Sequence, residues 1–544
     1  MGRCSISQLV LRSLSLSTRI AIALATATVA AASLAAQAQT RATFDLIVSG
    51  GTVIDGTGTP GRKVDLGIRD GRIAQIGLLQ NAAAKERINA TGLVVAPGFI
   101  DVHTHADDVA DHPLAENFLQ MGVTTIVAGN CGSSAIDISD AFDRIRAIGI
   151  SINYATLIGH NTVRAKVMGS QNVLPRADDL RHMKSLVFKA MIDGAVGFST
   201  GLQYIPGTYA KTNEITELAR VSGNEGGIYA THMRNEGTAL EGAIKESINV
   251  ARLIEAPLEI SHLKVDSPAQ WGASARALQL IDDARKRGIK VQADQYAYTA
   301  GSSSLSIRFP AWVLEGTADA VKKRLNDPLM WAKAKKEMQG LLDERGFSDL
   351  SWATIATYRA DPSLNGLSMK DAAKKLKGSD TSDAQLELAR DMQLAGGASM
   401  VYHFMSDDDV ATIMRHPMVS IASDAGINVL GQGVPHPRGY GDNARVLGKF
   451  VREDRVISLE EAIRKMTSLP AQFFGFPDRG VIREKAFADL VIFDPAKIAE
   501  TATYARPHSY PVGIAAVLVN GVVTVRNGTH TTARAGQIVT KPRK

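Results

Sequence analysis

The chain has 544 residues, 45% hydrophobic and 21% charged, with a formal net charge of +6 and two cysteines. That length exceeds one ordinary core and predicts a large domain accompanied by a smaller one. The composition is globular, neither charge-rich and apolar-poor like a disordered chain nor dense enough in cysteine for a disulfide framework.

Residues 1–38 read as a secretory signal peptide. Arg3, Arg12 and Arg19 precede an alanine-rich apolar run from Ile20 to Ala36, with no acidic residue among them, and Ala36-Gln37-Ala38 has the small-x-small cleavage pattern. The run is short for a membrane span and ends at a cleavage site. No adjacent arginine pair is present, so the general secretory route is expected, and with it a periplasmic or secreted protein without stable membrane insertion. Cleavage would remove Cys4 and lower the formal charge from +6 to +3. No Lys/Arg cluster interleaved with aromatics remains, which argues against nucleic acid as a partner.

Residues 39–97 show short strands and tight turns. Asp45–Ser49 and Thr52–Ile54 flank a glycine pair, and Asp70-Gly71 between Val64–Arg69 and Arg72–Ile76 is a two-residue hairpin signal. Residues 476–544 repeat the style, with strands at Ala488–Phe493 and Ile514–Val519 and a second hairpin signal at Asn520-Gly521. Two β-rich ends predict one small β-sandwich built from both termini, with the centre inserted into it.

The centre, residues 98–475, alternates apolar β-branched runs with helical patterns. Eight strands are predicted, at Val94–Val102, Thr124–Gly129, Tyr154–Ile158, Ala195–Ser199, Gly227–Thr231, Leu258–Ser261, Lys290–Ala293 and Val419–Ala422. Helices at Asp179–Met191, Thr238–Ile254 and Ser274–Arg287 separate some of them. The pattern predicts an α/β fold, a (β/α)8 TIM barrel. Between strands seven and eight, at about 305–400, a Lys-, Asp- and Leu-rich stretch predicts a helical insertion near the barrel mouth.

In such a barrel the C-terminal strand ends meet at one face. Strand one ends in Asp101-Val102-His103-Thr104-His105, and residues two apart on a strand point to the same side. Strand two leads into Cys131, strand five into His232, strand six into His262 and strand eight into Asp424. Singly, each has a bland reading: a capping or core histidine, a small buried thiol, a loop-capping aspartate. Together they form a His/Cys/carboxylate set suited to zinc, with room for one ion or two. His160, also at a strand end, is either a supporting residue or a structural hydrogen bonder. A competing motif, Gly197-Phe198-Ser199-Thr200-Gly201, matches the serine-hydrolase elbow, but the loop-like Leu202–Gly207 follows where the elbow needs a helix.

His103-Thr104-His105 after Pro97-Gly98-Phe99-Ile100-Asp101 resembles the amidohydrolase superfamily. Gly129-Asn130-Cys131-Gly132, Gly197–Ala210, Ala230–Glu236, Ser261–Lys264, Tyr298–Gly301, His436–Gly441 and Met466–Ala471 narrow the resemblance to the N-acyl-D-amino-acid deacylases, over nearly all of the chain after residue 38. One departure is Arg483–Phe487, where such hydrolases usually place a glycine before Ala-Asp-Leu. The resemblance implies that Cys131, standing in for the carboxylated lysine of other relatives, holds a tight zinc with His232 and His262. His103, His105 and Asp424 would form a second, weaker or empty site. Asp424 would also be the general base and acid of amide hydrolysis, taking a proton from the attacking water and returning it to the leaving amine. Lys264, Arg438, Tyr204 and Tyr298 are the implied substrate-binding residues, with arginine suited to a carboxylate. Arg234 and Glu236 stand close enough in the motif to form a structural ion pair. The expected partner is a small N-acyl-amino-acid; oligomeric state stays open. The alternatives are an acyl-D-glutamate deacylase, a cyclic amidase of the hydantoinase or dihydroorotase type, a serine esterase using Ser199, and a non-catalytic metal- or solute-binding protein.

Overall fold

The computed structural model describes residues 44–541, so the expected signal segment and Cys4 lie outside the described residues. Two sheets come from the ends of the chain. One has four strands, in the order Arg72–Gly77, Asp65–Arg69, Phe44–Ser49, Ala84–Asn89. The other has seven and mixes both termini, joining Val94–Pro97 antiparallel to Leu490–Phe493 with Val95 opposite Ile492. Leu46, Ile68, Val95, Leu490 and Leu518 share one apolar cluster, so strands more than 400 positions apart bury the same surface. Both hairpins form where expected. Asp70 and Gly71 have φ of 51° and 73°, and Asn520 and Gly521 have 48° and 81°, the paired left-handed residues of a type I′ turn.

The strand predicted at Val94–Val102 is two strands. Val94–Pro97 belongs to the seven-stranded terminal sheet, whereas β1, Phe99–Asp101, belongs to the central one. Gly98 makes the break. A Cβ there would stand 2.2 Å from Thr124 Oγ1, and only glycine lets the chain pass between the two sheets this closely.

The centre continues with β2 (Val123–Ala128), β3 (Asn153–Thr156, resumed at Ile158–Gly159), β4 (Gly197–Gly201), β5 (Ile228–His232), β6 (Leu258–Ile260), β7 (Val291–Gln295) and β8 (Val419–Ile421). Every neighbouring pair is parallel, from Asp101 against Ile126 to Asp294 against Ser420. Beyond β1 and β8, Thr104–His105 pairs in parallel with Ala425–Gly426, and Asp424 N donates to His103 O at 2.9 Å. The first and eighth strands therefore meet at their C-terminal ends. Helices Ala177–Asp193, Leu240–Ile254 and Ser274–Lys286 occupy the expected intervals. Leu240–Ile254 buries Leu240, Ala243, Ile244, Ser247, Ala251 and Ile254, the spacing of one helical face.

The insertion is not purely helical. Ala300–Ser304, Ala353–Thr357 and Ser399–His403 form an antiparallel sheet with Ser399–His403 in the middle, beside helices such as Pro328–Arg345 and Ser382–Leu394. Short serine- and alanine-containing strands inside a Lys/Asp/Leu-rich stretch carry too little alternation to show in the sequence. Among the described residues no helix is long and apolar enough to cross a membrane.

Candidate metal centre

The C-terminal ends of β1, β2, β5, β6 and β8 place His103, His105, Cys131, His232, His262 and Asp424 together. Cys131, His262 and Asp424 each take a left-handed φ, of 52°, 37° and 53°. A non-glycine residue held there costs on the order of 1–3 kcal/mol, and such strain gathers at functional sites. The Cys131 turn is braced from β4, where Ser199 Oγ accepts from Gly132 N at 3.1 Å and donates to Gly129 O. Ser199 is fully buried. Both of its hydrogen-bonding roles serve this loop, which leaves the serine-nucleophile reading of the G-x-S-x-G motif without a free hydroxyl.

Cys131 Sγ lies 3.3 Å from His103 Nε2, 3.6 Å from His262 Nε2 and 3.7 Å from His232 Nδ1. Tetrahedral zinc, with Zn–S near 2.3 Å and Zn–N near 2.0–2.1 Å, would separate such donors by about 3.6 Å. The residues therefore fit the ion. Asp424 Oδ1 lies 3.1 Å from His105 Nε2 and 3.6 Å from His103 Nε2. His103 thus stands where the two halves meet, facing Cys131 of Cys131/His232/His262 and Asp424 of its own set with His105.

The outward ring nitrogens of His103 and His262 lie against carboxylates, the arrangement that fixes the tautomer of a metal-binding imidazole. His103 Nδ1 is 3.3 Å from Asp294 and His262 Nδ1 is 3.0 Å from Glu236 Oε1, whereas His232 Nε2, 3.5 Å from Glu236 Oε2, makes no hydrogen bond among the described residues. Lys264 Nζ is 2.7 Å from both Glu236 Oε1 and His262 Nδ1. Asp294 was not foreseen, because the predicted seventh strand stops at Ala293. Glu236 was paired with Arg234 on proximity alone; Arg234 instead binds Glu246 at 3.0 Å. His160 bonds the buried Glu214 at 2.9 Å, which makes it structural.

The electrostatics favour a charged centre. Burial alone would raise the Asp424 carboxyl, but Arg438, then His103 and His262, hold it well below the usual carboxylate range. Burial also opposes the Cys131 thiolate, yet the surrounding histidines, His103 foremost, draw the thiol well below its ordinary value. Asp101, which accepts from His103 N at 3.1 Å and Ser423 N at 3.0 Å, is pushed up to about 7 by burial.

A cavity over the cluster is lined by Tyr204, Lys264, Tyr296, Arg308 and Asp424, among others. Tyr204 Oη is 3.2 Å from His232 Nδ1. Arg438 Nη1 stands 2.8 Å from Asp424 Oδ2, an ion-pair contact in which that nitrogen makes no well-aimed hydrogen bond, and its guanidinium lies 4.6 Å from the Tyr296 ring centre. The structure corrects Tyr298, whose hydroxyl donates to Glu500 at 2.6 Å and which does not line this cavity. Tyr296 lines it instead, with a buried hydroxyl that has no partner among the described residues. Arg308, also missed, stacks 4.4 Å from the Tyr402 ring and leaves its Nε unpartnered. A wider groove lies between the terminal sheets and the helix Ser468–Phe474, and none of the six cluster residues lines it.

Comparison with known proteins places these residues in context. A profile described as "Amidohydrolase family" matches residues 86–525. A D-aminoacylase of Alcaligenes xylosoxydans xylosoxydans is 35% identical over 524 residues, 92% of this chain and 98% of that protein. The crystal structure of N-acyl-D-glutamate deacylase from Bordetella bronchiseptica, complexed with zinc and a phosphonate mimic of the tetrahedral intermediate, superimposes with a TM-score of 0.78 at 34% identity, covering 91% of this chain and 99% of that one. A D-aminoacylase structure described for its binuclear metal centre gives 0.79 at 34% identity, covering 92% and 100%.

Proposed function

Since the chain belongs to the amidohydrolase family, and within it to the D-aminoacylases, we propose that it is a zinc-dependent hydrolase that cleaves N-acyl-D-amino acids to a carboxylate and a free D-amino acid. The observation that carries this reading is Cys131, with three imidazole nitrogens 3.3–3.7 Å from its sulfur and Asp424 3.6 Å from the same Nε2 of His103 that faces the thiol. Cys131, His232 and His262 would hold the tighter zinc, and His103, His105 and Asp424 a second. Bound there, zinc polarises the scissile carbonyl and lowers the pKa of water toward neutrality.

The chain's own residues supply the rest. Asp424, kept ionised by Arg438 and the histidines, accepts the proton of the attacking water and returns it to the leaving amine. Glu236, held by Lys264, braces the outer nitrogen of His262. Tyr296 lines the cavity, and Arg438, packed against Asp424 and the Tyr296 ring, adds the positive charge suited to the substrate's α-carboxylate, while Tyr204 stands beside His232 as a donor to the carbonyl oxygen. Lys264 lines the same cavity and would add positive potential toward the substrate. A second reading, an acyl-D-glutamate preference, is favoured by Arg308, half-buried in the cavity wall with no partner for its Nε among the described residues.

The eight parallel strands and their C-terminal meeting support a (β/α)8 barrel, and the two terminal sheets a sandwich around it, with boundaries near 97 and 476. The signal-like segment supports export to the periplasm or medium; amino-terminal sequencing of the exported protein would reveal cleavage after Ala38. For the activity, matched N-acetyl-D- and N-acetyl-L-amino acids, D-glutamate and D-leucine among them, are assayed with zinc and after exhaustive chelation. Turnover of the D series that chelation abolishes is expected; chelation-resistant turnover, or cleavage of the L series alone, refutes the reading.

A further inference from the structure

The amide of Asn161 sits where two loops beside the metal cluster close on each other. Asn161 is the buried second residue of the helix His160–Met168, which follows β3. Its Nδ2 donates to Gly201 O at 3.0 Å and to Tyr204 O at 3.3 Å, so both amide hydrogens serve one loop. Its Oδ1 accepts from Gly201 N at 3.4 Å and lies 3.4 Å from His160 Nδ1. The two carbonyls bracket a turn in which Tyr204 N donates to Gly201 O at 3.1 Å. The asparagine therefore holds the backbone at Tyr204 itself, and from there the Tyr204 hydroxyl reaches His232 Nδ1 at 3.2 Å.

The fit is close on every side. A Cβ at Gly207 would stand 2.5 Å from Asn161 Oδ1, one at Gly132 2.2 Å from the same atom, and one at Gly201 2.0 Å from Cys131 O. Glycine at these points lets the amide enter between the loop after β4 and the loop of Cys131. The outer end of Tyr204 is held more loosely, its hydroxyl accepting from Ser303 Oγ at 3.4 Å, near the limit of a hydrogen bond. The Cys131 loop has braces of its own, because Gly132 N donates to Ser199 Oγ and Gly132 O accepts from Thr162 N at 3.0 Å.

We propose that Asn161 is a positioning residue for Tyr204: by holding the carbonyls of Gly201 and Tyr204 on one amide, it sets the Tyr204 hydroxyl beside His232, where it donates to the scissile carbonyl. The hydrogen bonds of the Asn161 side chain run to no member of the metal cluster, and the residue does not line the cavity. The inference rests on the zinc-hydrolase reading and extends it to a group that acts on the reaction only through the tyrosine.

The test is a double-mutant cycle of Asn161→Ala and Tyr204→Phe in the zinc-loaded protein. Asn161→Ala alone should lower kcat by roughly 10–100-fold, the scale of a displaced active-site group. Zinc affinity should stay within about threefold of wild type, unlike the roughly 10–100-fold loss that follows removal of a ligand's outer partner. Added to Tyr204→Phe, the alanine should lower kcat by no more than about twofold further, because the two changes remove the same effect. Equal losses in both backgrounds would overturn the proposal, since a merely structural role is indifferent to the tyrosine hydroxyl; so would wild-type kcat in Asn161→Ala. Should the alanine variant not fold, Asn161→Asp, which keeps the shape without the Nδ2 donor, enters the same cycle. A wild type that hydrolyses no N-acyl-amino acid, or a Tyr204→Phe variant with full kcat, would refute the activity or the donor role under which Tyr204 was placed. Fluorine NMR of the protein carrying fluorotyrosine at position 204 still decides the positioning. Its resonance should shift between wild type and Asn161→Ala, and an unshifted resonance would overturn the hold of Asn161 on Tyr204.

Discussion

Replacing Ser199 by alanine separates two chemistries that share one motif. The substitution keeps Cβ and opens no cavity, but it removes the acceptor for Gly132 N and the donor to Gly129 O. Each neutral hydrogen bond is worth about 0.5–1.5 kcal/mol net, and a buried backbone group left unpaired adds to the loss, so a total of roughly 2–3 kcal/mol is expected. A chain of this length has an unfolding entropy of roughly 1 kcal/mol/K, so the melting temperature should fall by about 2–3 °C. The freed loop carries Cys131, so zinc affinity should weaken as well, while saturating zinc should restore kcat to within about tenfold of wild type. A nucleophilic serine predicts something else: its removal costs on the order of 10⁴-fold or more, and no amount of metal restores it. Melting by calorimetry, metal content and single-turnover hydrolysis at saturating zinc distinguish the cases. Loss of turnover with zinc bound and stability unchanged would refute the bracing role of Ser199.

Three further outcomes follow from the geometry. Asp424→Asn should keep zinc at Cys131, His232 and His262 yet lose at least ~10²–10⁴-fold in kcat; near-normal turnover would remove Asp424 as the proton carrier. Tyr296→Phe should lower kcat/KM by roughly 10–100-fold, the worth of a hydrogen bond to a charged group, whereas Tyr298→Phe should alter stability through Glu500 and leave the kinetics near wild type; the reverse ranking would restore Tyr298 to the site. Burial brings the Lys465 ammonium down to about 7 from its ordinary 10.5, against the opposing pull of Glu461. Between those values the unfolded chain binds a proton that the native one does not, so stability rises with pH, by up to about 1.4 kcal/mol per unit. Denaturant unfolding of wild type and Lys465→Met at pH 7 and pH 9.5 should show that rise in the wild type alone, and equal slopes would contradict it.

The convergence of the six cluster residues was legible because each stands at the end of a short apolar run, where strand direction alone says which face it reaches. The outer partners were less legible. Asp294 was lost to a strand end read one residue short of it. Glu236 was matched with Arg234 because they are near in sequence, although β5 and β6 bring Lys264 and two histidines closer. Tyr298 came from its motif alone; β7 ends at Gln295, and past that point alternation no longer says which side chain faces inward.

The break at Gly98 has a consequence for anyone wishing to dissect the molecule. The residue before it completes a strand of the terminal sheet, and the residue after it begins the strand that leads to His103, so no linker exists between them. A rigid splice of this kind makes the terminal sheets part of the mounting of the metal histidines. A catalytic fragment trimmed at residue 98 would lose the antiparallel clasp between Val94–Pro97 and Leu490–Phe493 and the firm origin of β1 along with it. The central parallel strands are therefore not a detachable module, and grafting the face that carries the His/Cys/Asp cluster onto another scaffold would have to carry both chain ends too.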